Sequence, residues 1–182
     1  MTKPLSESEA PPVRRNDATP GAVPTMVSTT RYGILVRGRK YLVDRMVSAR
    51  SRRAKATLQS NTDLWNLMTE AAAGTTVTGA SYSDYLVLYE QVKSFKPKEV
   101  VEFGTGITTV VLAQALIENA RDSGDAIGRL TSMEDDQEWY DVACSRLPDK
   151  VADVVDMVHS PKVDGFYKCF RGVMYESLPD RD

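Results

Sequence analysis

The run Val100-Val101-Glu102-Phe103-Gly104-Thr105-Gly106-Ile107-Thr108-Thr109 is the part of this chain best suited to chemistry. An apolar strand enters a turn with two glycines and then a helix. Side chains at Gly104 or Gly106 would obstruct a ligand approaching the backbone at the strand's carboxyl end. The helix that follows offers free N–H groups at the same point. A dinucleotide site would prefer a third glycine, but Thr109 stands there. An acid two residues before the first glycine suits another ligand better, because Glu102 can meet a positively charged amine directly or through water.

A second acid lies in Leu130-Thr131-Ser132-Met133-Glu134-Asp135-Asp136. At a strand tip, a carboxylate can accept two hydrogen bonds from a ribose diol. Glu134 is the candidate. It falls 32 positions after Glu102, beyond the usual spacing of about 20, and the polar loop from Arg121 to Gly128 accounts for the excess. The alternative is that Glu134 to Asp136 simply cap the next helix, a role that suits Asp136.

These groups need strands and helices to position them. Glu99 to Phe103, Arg129 to Met133 and Asp153 to Val158 read as strands. Thr108 to Arg121 and Gln137 to Leu147 read as the helices between them. The alternation predicts an α/β fold with three parallel strands in the order 3-2-1. Ahead of it, Thr62 to Ala73 reads as a helix capped by Thr62 and ended by Gly74. A further helix spans Tyr82 to Phe95, with Ser81 and Asp84 at capping-box spacing and Pro97 closing it.

With strand, glycine turn, helix, strand and acid in that order, the chain resembles the opening of a class I S-adenosylmethionine-dependent methyltransferase. The wording is similar to a small-molecule or sugar-type subgroup, in Thr78-Gly79-Ala80-Ser81-Tyr82-Ser83-Asp84-Tyr85 and again in Thr131 to Tyr140. The resemblance covers about Thr78 to the C-terminus. It implies a Rossmann-like domain that binds S-adenosyl-L-methionine. Glu102, Gly104, Thr105 and Gly106 would face its methionine part, Glu134 its ribose, and Asp135 the edge of the adenine pocket. Thr108 departs from the pattern, standing where many of these enzymes have glycine.

The resemblance also implies a fourth strand, beside the first and ending in an acidic motif. None is read before Asp182, so the expectation is a truncated form carrying the cofactor-binding half. A chain with that edge strand bare is expected to self-associate or recruit a missing half, and to show no turnover alone. The competing reading is a non-catalytic remnant that binds a nucleoside-like ligand or another protein. A nicotinamide-dependent enzyme is a third, disfavoured by Thr109. No catalytic base is assigned; His159 is a weak candidate, Tyr167 and Tyr175 weaker ones.

Composition sets the remaining bounds. Hydrophobic residues make up 42%, enough for a core, and the formal net charge is only −2. Its distribution is uneven. Residues 31–55 hold nine Lys or Arg against Asp44 alone, while Thr131 to Asp182 hold twelve acids against six bases. The basic stretch suits an acidic lipid surface or nucleic acid. The preferred reading is a solvated helix or one packed on an acidic neighbour. No aromatics alternate with the charges, so nucleic acid is not expected.

Residues 1–30 hold five of the nine prolines and few large apolar side chains, which predicts a disordered tail. Residues 31–77 form a basic helical region, and 78–182 the partial cofactor-binding domain. Cys144 and Cys169 are too few for a disulfide framework, and with His159 they are expected to serve ordinary packing rather than a metal. With no secretory signal and no long apolar run, the chain reads as cytoplasmic.

Overall fold

A computed structural model describes residues 30–74 and 80–179. The expected tail at 1–30 lies outside the described residues, apart from Thr30, and so do Thr78 and Gly79 of the resemblance. The chain divides into two units, Met1–Lys40 and Tyr41–Asp182. Of the first, Thr30 to Lys40 is helical, the beginning of helix α1 (Thr30–Ser60).

The second unit is mixed α/β. After α1 come α2 (Thr62–Ala71), α3 (Tyr82–Phe95), β1 (Glu99–Phe103), α4 (Ile107–Ser123), β2 (Arg129–Glu134), α5 (Gln137–Arg146), α6 (Asp149–Ala152) and β3 (Val155–His159). β1, β2 and β3 form a parallel sheet in that order, with Glu102 opposite Ser132 and Glu134 opposite His159. Two further strands, β4 (Lys162–Tyr167) and β5 (Phe170–Tyr175), pair antiparallel as a hairpin. This hairpin was not among the elements expected from sequence.

Helix α4 is the centre of the core. It contacts β2 as well as α2 and α3, and Thr109 to Leu116 are all buried. Leu67 of α2, Val92 of α3, Leu116 of α4 and Leu130 of β2 share one apolar cluster. Full burial of each such side chain contributes roughly 1.5–3 kcal/mol. The helices before the sheet are therefore part of its core. Polar ties reinforce the layer: Asn61 donates to the Glu118 carboxylate at 2.9 Å and to the Tyr89 hydroxyl at 3.1 Å. Burial, followed by the bond to Glu118, holds the Tyr89 hydroxyl well above its ordinary range.

Several local details differ from the sequence reading. The cap of α2 is Asn61, whose side chain accepts from Leu64 N–H at 3.1 Å, one residue before the expected Thr62. The Ser81–Asp84 capping box is present, with Asp84 accepting from Ser81 N–H at 2.7 Å. Helix α5 buries none of its residues, and Trp139 is exposed. Cys144 and Cys169 are both exposed, one on α5 and one in the hairpin turn, so neither is a packing residue.

Candidate functional site

The turn between β1 and α4 is built around Gly104. Its φ of +93° lies where a Cβ is strained. Its N–H donates to Met133 O at 2.7 Å, extending the β1–β2 ladder one residue past the strand. Gly106 then caps α4, and its N–H donates to the Thr109 hydroxyl at 3.0 Å. A Cβ added at either glycine would meet no atom within 4 Å, so the space over the turn is open.

Glu102 lies beneath the turn, only 9% exposed. Its Oε2 accepts from the hydroxyls of Thr109 and Ser132, each at 2.7 Å. Thr109, absent from the glycine pattern, thus ties the turn to the carboxylate behind it. Burial pushes the Glu102 carboxyl above its ordinary value, against the pull of hydroxyls from Thr108, Thr109 and Ser132.

Glu134 holds the other side. Its Oε2 accepts from the Thr105 N–H at 3.0 Å and the Thr105 hydroxyl at 3.1 Å. Its Oε1 accepts from the N–H groups of Asp135 at 3.0 Å and Asp136 at 3.2 Å. A carboxylate has about four lone-pair sites, and all are engaged. Asp136 caps α5 by accepting from Trp139 N–H at 3.0 Å, the role sequence assigned to it. Asp135 forms an ion pair with Lys162 Nζ at 2.7 Å.

Lys162 and Tyr175 face each other across the open end of the hairpin. Tyr175 stacks on Phe103, with ring centroids 5.3 Å apart, and Lys162 lies 5.5 Å from the Tyr175 ring centre. The hairpin base therefore reaches the tips of both β1 and β2. Burial raises the Tyr175 hydroxyl above its ordinary value, which keeps it protonated near neutrality and makes it a poor base. His159 ends β3 with its ring 5.6 Å from that of Tyr140. The Tyr167 side chain lies outside the described residues.

A cavity of about 240 Å³ opens beside the turn. Thr105, Gly106 and Glu134 line its polar end, and Val142, Leu147 and Met157 are among its apolar walls. Arg146 also lines it; its Nη1 is buried without a partner among the described residues, and its Nη2 reaches Gly74 O at 3.4 Å. Sequence did not single out this arginine, which carried no motif. The geometry thus brings Thr105, Gly106 and Glu134 to one cavity, puts Glu102 behind the turn, and pairs Asp135 with the hairpin. Among the described residues, no three His, Cys, Asp or Glu are grouped to hold a metal ion, and no helix is long and apolar enough to cross a membrane.

These features define a class: a parallel α/β sheet whose carboxyl end carries a glycine turn, an acid and an adjoining cavity. The chain matches no model of a known protein family. No curated protein matches it either.

Proposed function

We propose that this chain binds S-adenosyl-L-methionine at the carboxyl ends of β1 and β2, as the cofactor-binding part of a Rossmann-like methyltransferase for a small-molecule or sugar-type acceptor. The observation that carries the reading is the placement of Glu134 against the glycine turn, with open space over Gly104 and Gly106 and a cavity alongside. The cofactor would supply an electrophilic methyl group on a sulfonium. The protein's part is positioning. Glu134 would exchange the Thr105 hydroxyl for one ribose hydroxyl, since its lone pairs are all in use. Glu102, fixed by Thr109 and Ser132, keeps the turn in shape and puts a carboxylate behind the methionine part. The apolar walls suit a purine ring.

The test is equilibrium binding of S-adenosylhomocysteine and, separately, NADH to the full chain. Binding of the first with little of the second supports the reading. Preference for NADH overturns it in favour of a nicotinamide enzyme.

A second reading, a non-catalytic module that binds a nucleoside-like ligand or another protein, is favoured by one feature. Strand β1 lies at the edge of the three-stranded sheet among the described residues, so no paired strand flanks the cleft on that side. Binding of S-adenosylhomocysteine without transfer of a labelled methyl group from S-adenosyl-L-methionine would fit this reading. Such an edge also suits self-association or recruitment of another strand.

A further inference from the structure

We propose that the exposed part of α1 from Val43 to Arg53, with the groove it forms against α3, docks on an anionic phospholipid bilayer. This does not depend on the cofactor reading. Helix α1 packs through its C-terminal turns, where Ala54 and Leu58 are buried. Every residue from Val43 to Ser48 is exposed. A helix segment without packing gains little from propensity alone, and the acids facing this one from α3 among the described residues are Asp84, which feels the charge of Arg50, and Glu90. Val43, Met46 and Val47 share one helix face by their spacing and are 49%, 72% and 58% exposed. Val87 of α3 adds a further exposed apolar side chain on the groove's other wall.

Charge decides what covers this surface. The groove is about 440 Å³ and is lined by Arg50, Arg53 and Ser83, with Glu90 its only acid. Arg52 is exposed next to them. Lys55 is committed elsewhere, 5.7 Å from the Trp65 ring centre and 5.1 Å from that of Tyr82. A nucleic acid would use the arginines but leave Met46 and Val47 in water. A bilayer accommodates both, with lipid phosphates at the guanidinium groups and the apolar side chains at the acyl boundary.

The test is co-sedimentation of the full chain with vesicles of equal parts phosphatidylcholine and phosphatidylglycerol, against vesicles of phosphatidylcholine alone. The chain should pellet with the anionic vesicles only. Arg50→Gln/Arg53→Gln should weaken binding about tenfold or more. Met46→Glu/Val47→Glu should weaken it similarly while leaving thermal unfolding unchanged, because both side chains are exposed. The proposal is overturned if anionic vesicles fail to pellet the chain, if the double glutamate variant binds like the wild type, or if transfer RNA displaces the vesicles at lower phosphate concentration.

Discussion

Glu134 Oε2 takes both the backbone N–H and the hydroxyl of Thr105, at 3.0 and 3.1 Å. This joins the tip of β2 to the glycine turn after β1. The hydroxyl is the replaceable partner, because the backbone donor is fixed by the turn and Oε1 serves Asp135 and Asp136. One hydroxyl of a ligand diol would enter by displacing it. Thr105→Val, which keeps the shape and removes the competitor, should leave S-adenosylhomocysteine affinity equal to wild type or higher. A tenfold loss in titration would show that the hydroxyl holds ligand instead.

Glu102 gives a pH dependence whose sign is fixed. Its folded-state pKa is raised, chiefly by burial. Its contribution to stability is therefore fully present below the unfolded value, about 4.3, and is lost as pH rises through the folded value. Glu102→Gln removes this titration and retains an oxygen to accept from Thr109 and Ser132. In urea unfolding, the variant should gain on the wild type as pH rises from about 4 to about 8. A constant difference, or one that shrinks with pH, would contradict this.

Two glycines should be intolerant for different reasons. Gly104→Ala places a Cβ at φ +93° in otherwise open space, so strain alone should cost about 1–2 kcal/mol. At Gly128, a Cβ would lie 2.8 Å from Leu116 Cδ2 and 2.9 Å from Lys98 O, and the backbone there cannot easily move. Gly128→Ala should cost about 1–3 kcal/mol by overpacking. Chemical denaturation measures both, and a stabilised Gly128→Ala variant would show that the strand entrance is looser than described.

The pair Lys162–Asp135 is partly exposed, at 46% and 32% of side-chain area. Lys162→Ala should therefore leave global stability close to that of the wild type. It should still loosen the hairpin base, seen as faster amide exchange at Tyr175 and Glu176. Unchanged exchange would mean that the Phe103–Tyr175 stack and the Glu176 N–H bond to Pro161 O suffice.

Much of the sheet was legible because β1 carries Val100 and Val101 between strong signals, and β2 starts after Gly128 and ends on an acid. Pro97 and Gly104 frame Glu99–Phe103, and α3 runs from its capping box at Ser81 to Lys96, which adopts a left-handed conformation before Pro97. The hairpin was missed because its turn is Lys168-Cys169, with Lys168 at φ +55° instead of a glycine or asparagine. Its strands also leave Phe166, Phe170 and Val173 exposed, so burial gives no clean alternation. The acids of the site could be named from sequence, but their partners could not. That Thr109 serves Glu102 depends on how the turn between them folds, and that Asp135 is held by Lys162 is a long-range contact which no local spacing encodes.

The central claim concerns Glu134, and calorimetric titration with S-adenosylhomocysteine tests it most directly, with wild type, Glu134→Ala and Thr105→Val compared side by side. The account predicts measurable binding to the wild type, a loss of about 1–3 kcal/mol in Glu134→Ala, and no loss in Thr105→Val. Affinity undiminished in a folded Glu134→Ala variant, or no binding to the wild type, would contradict it.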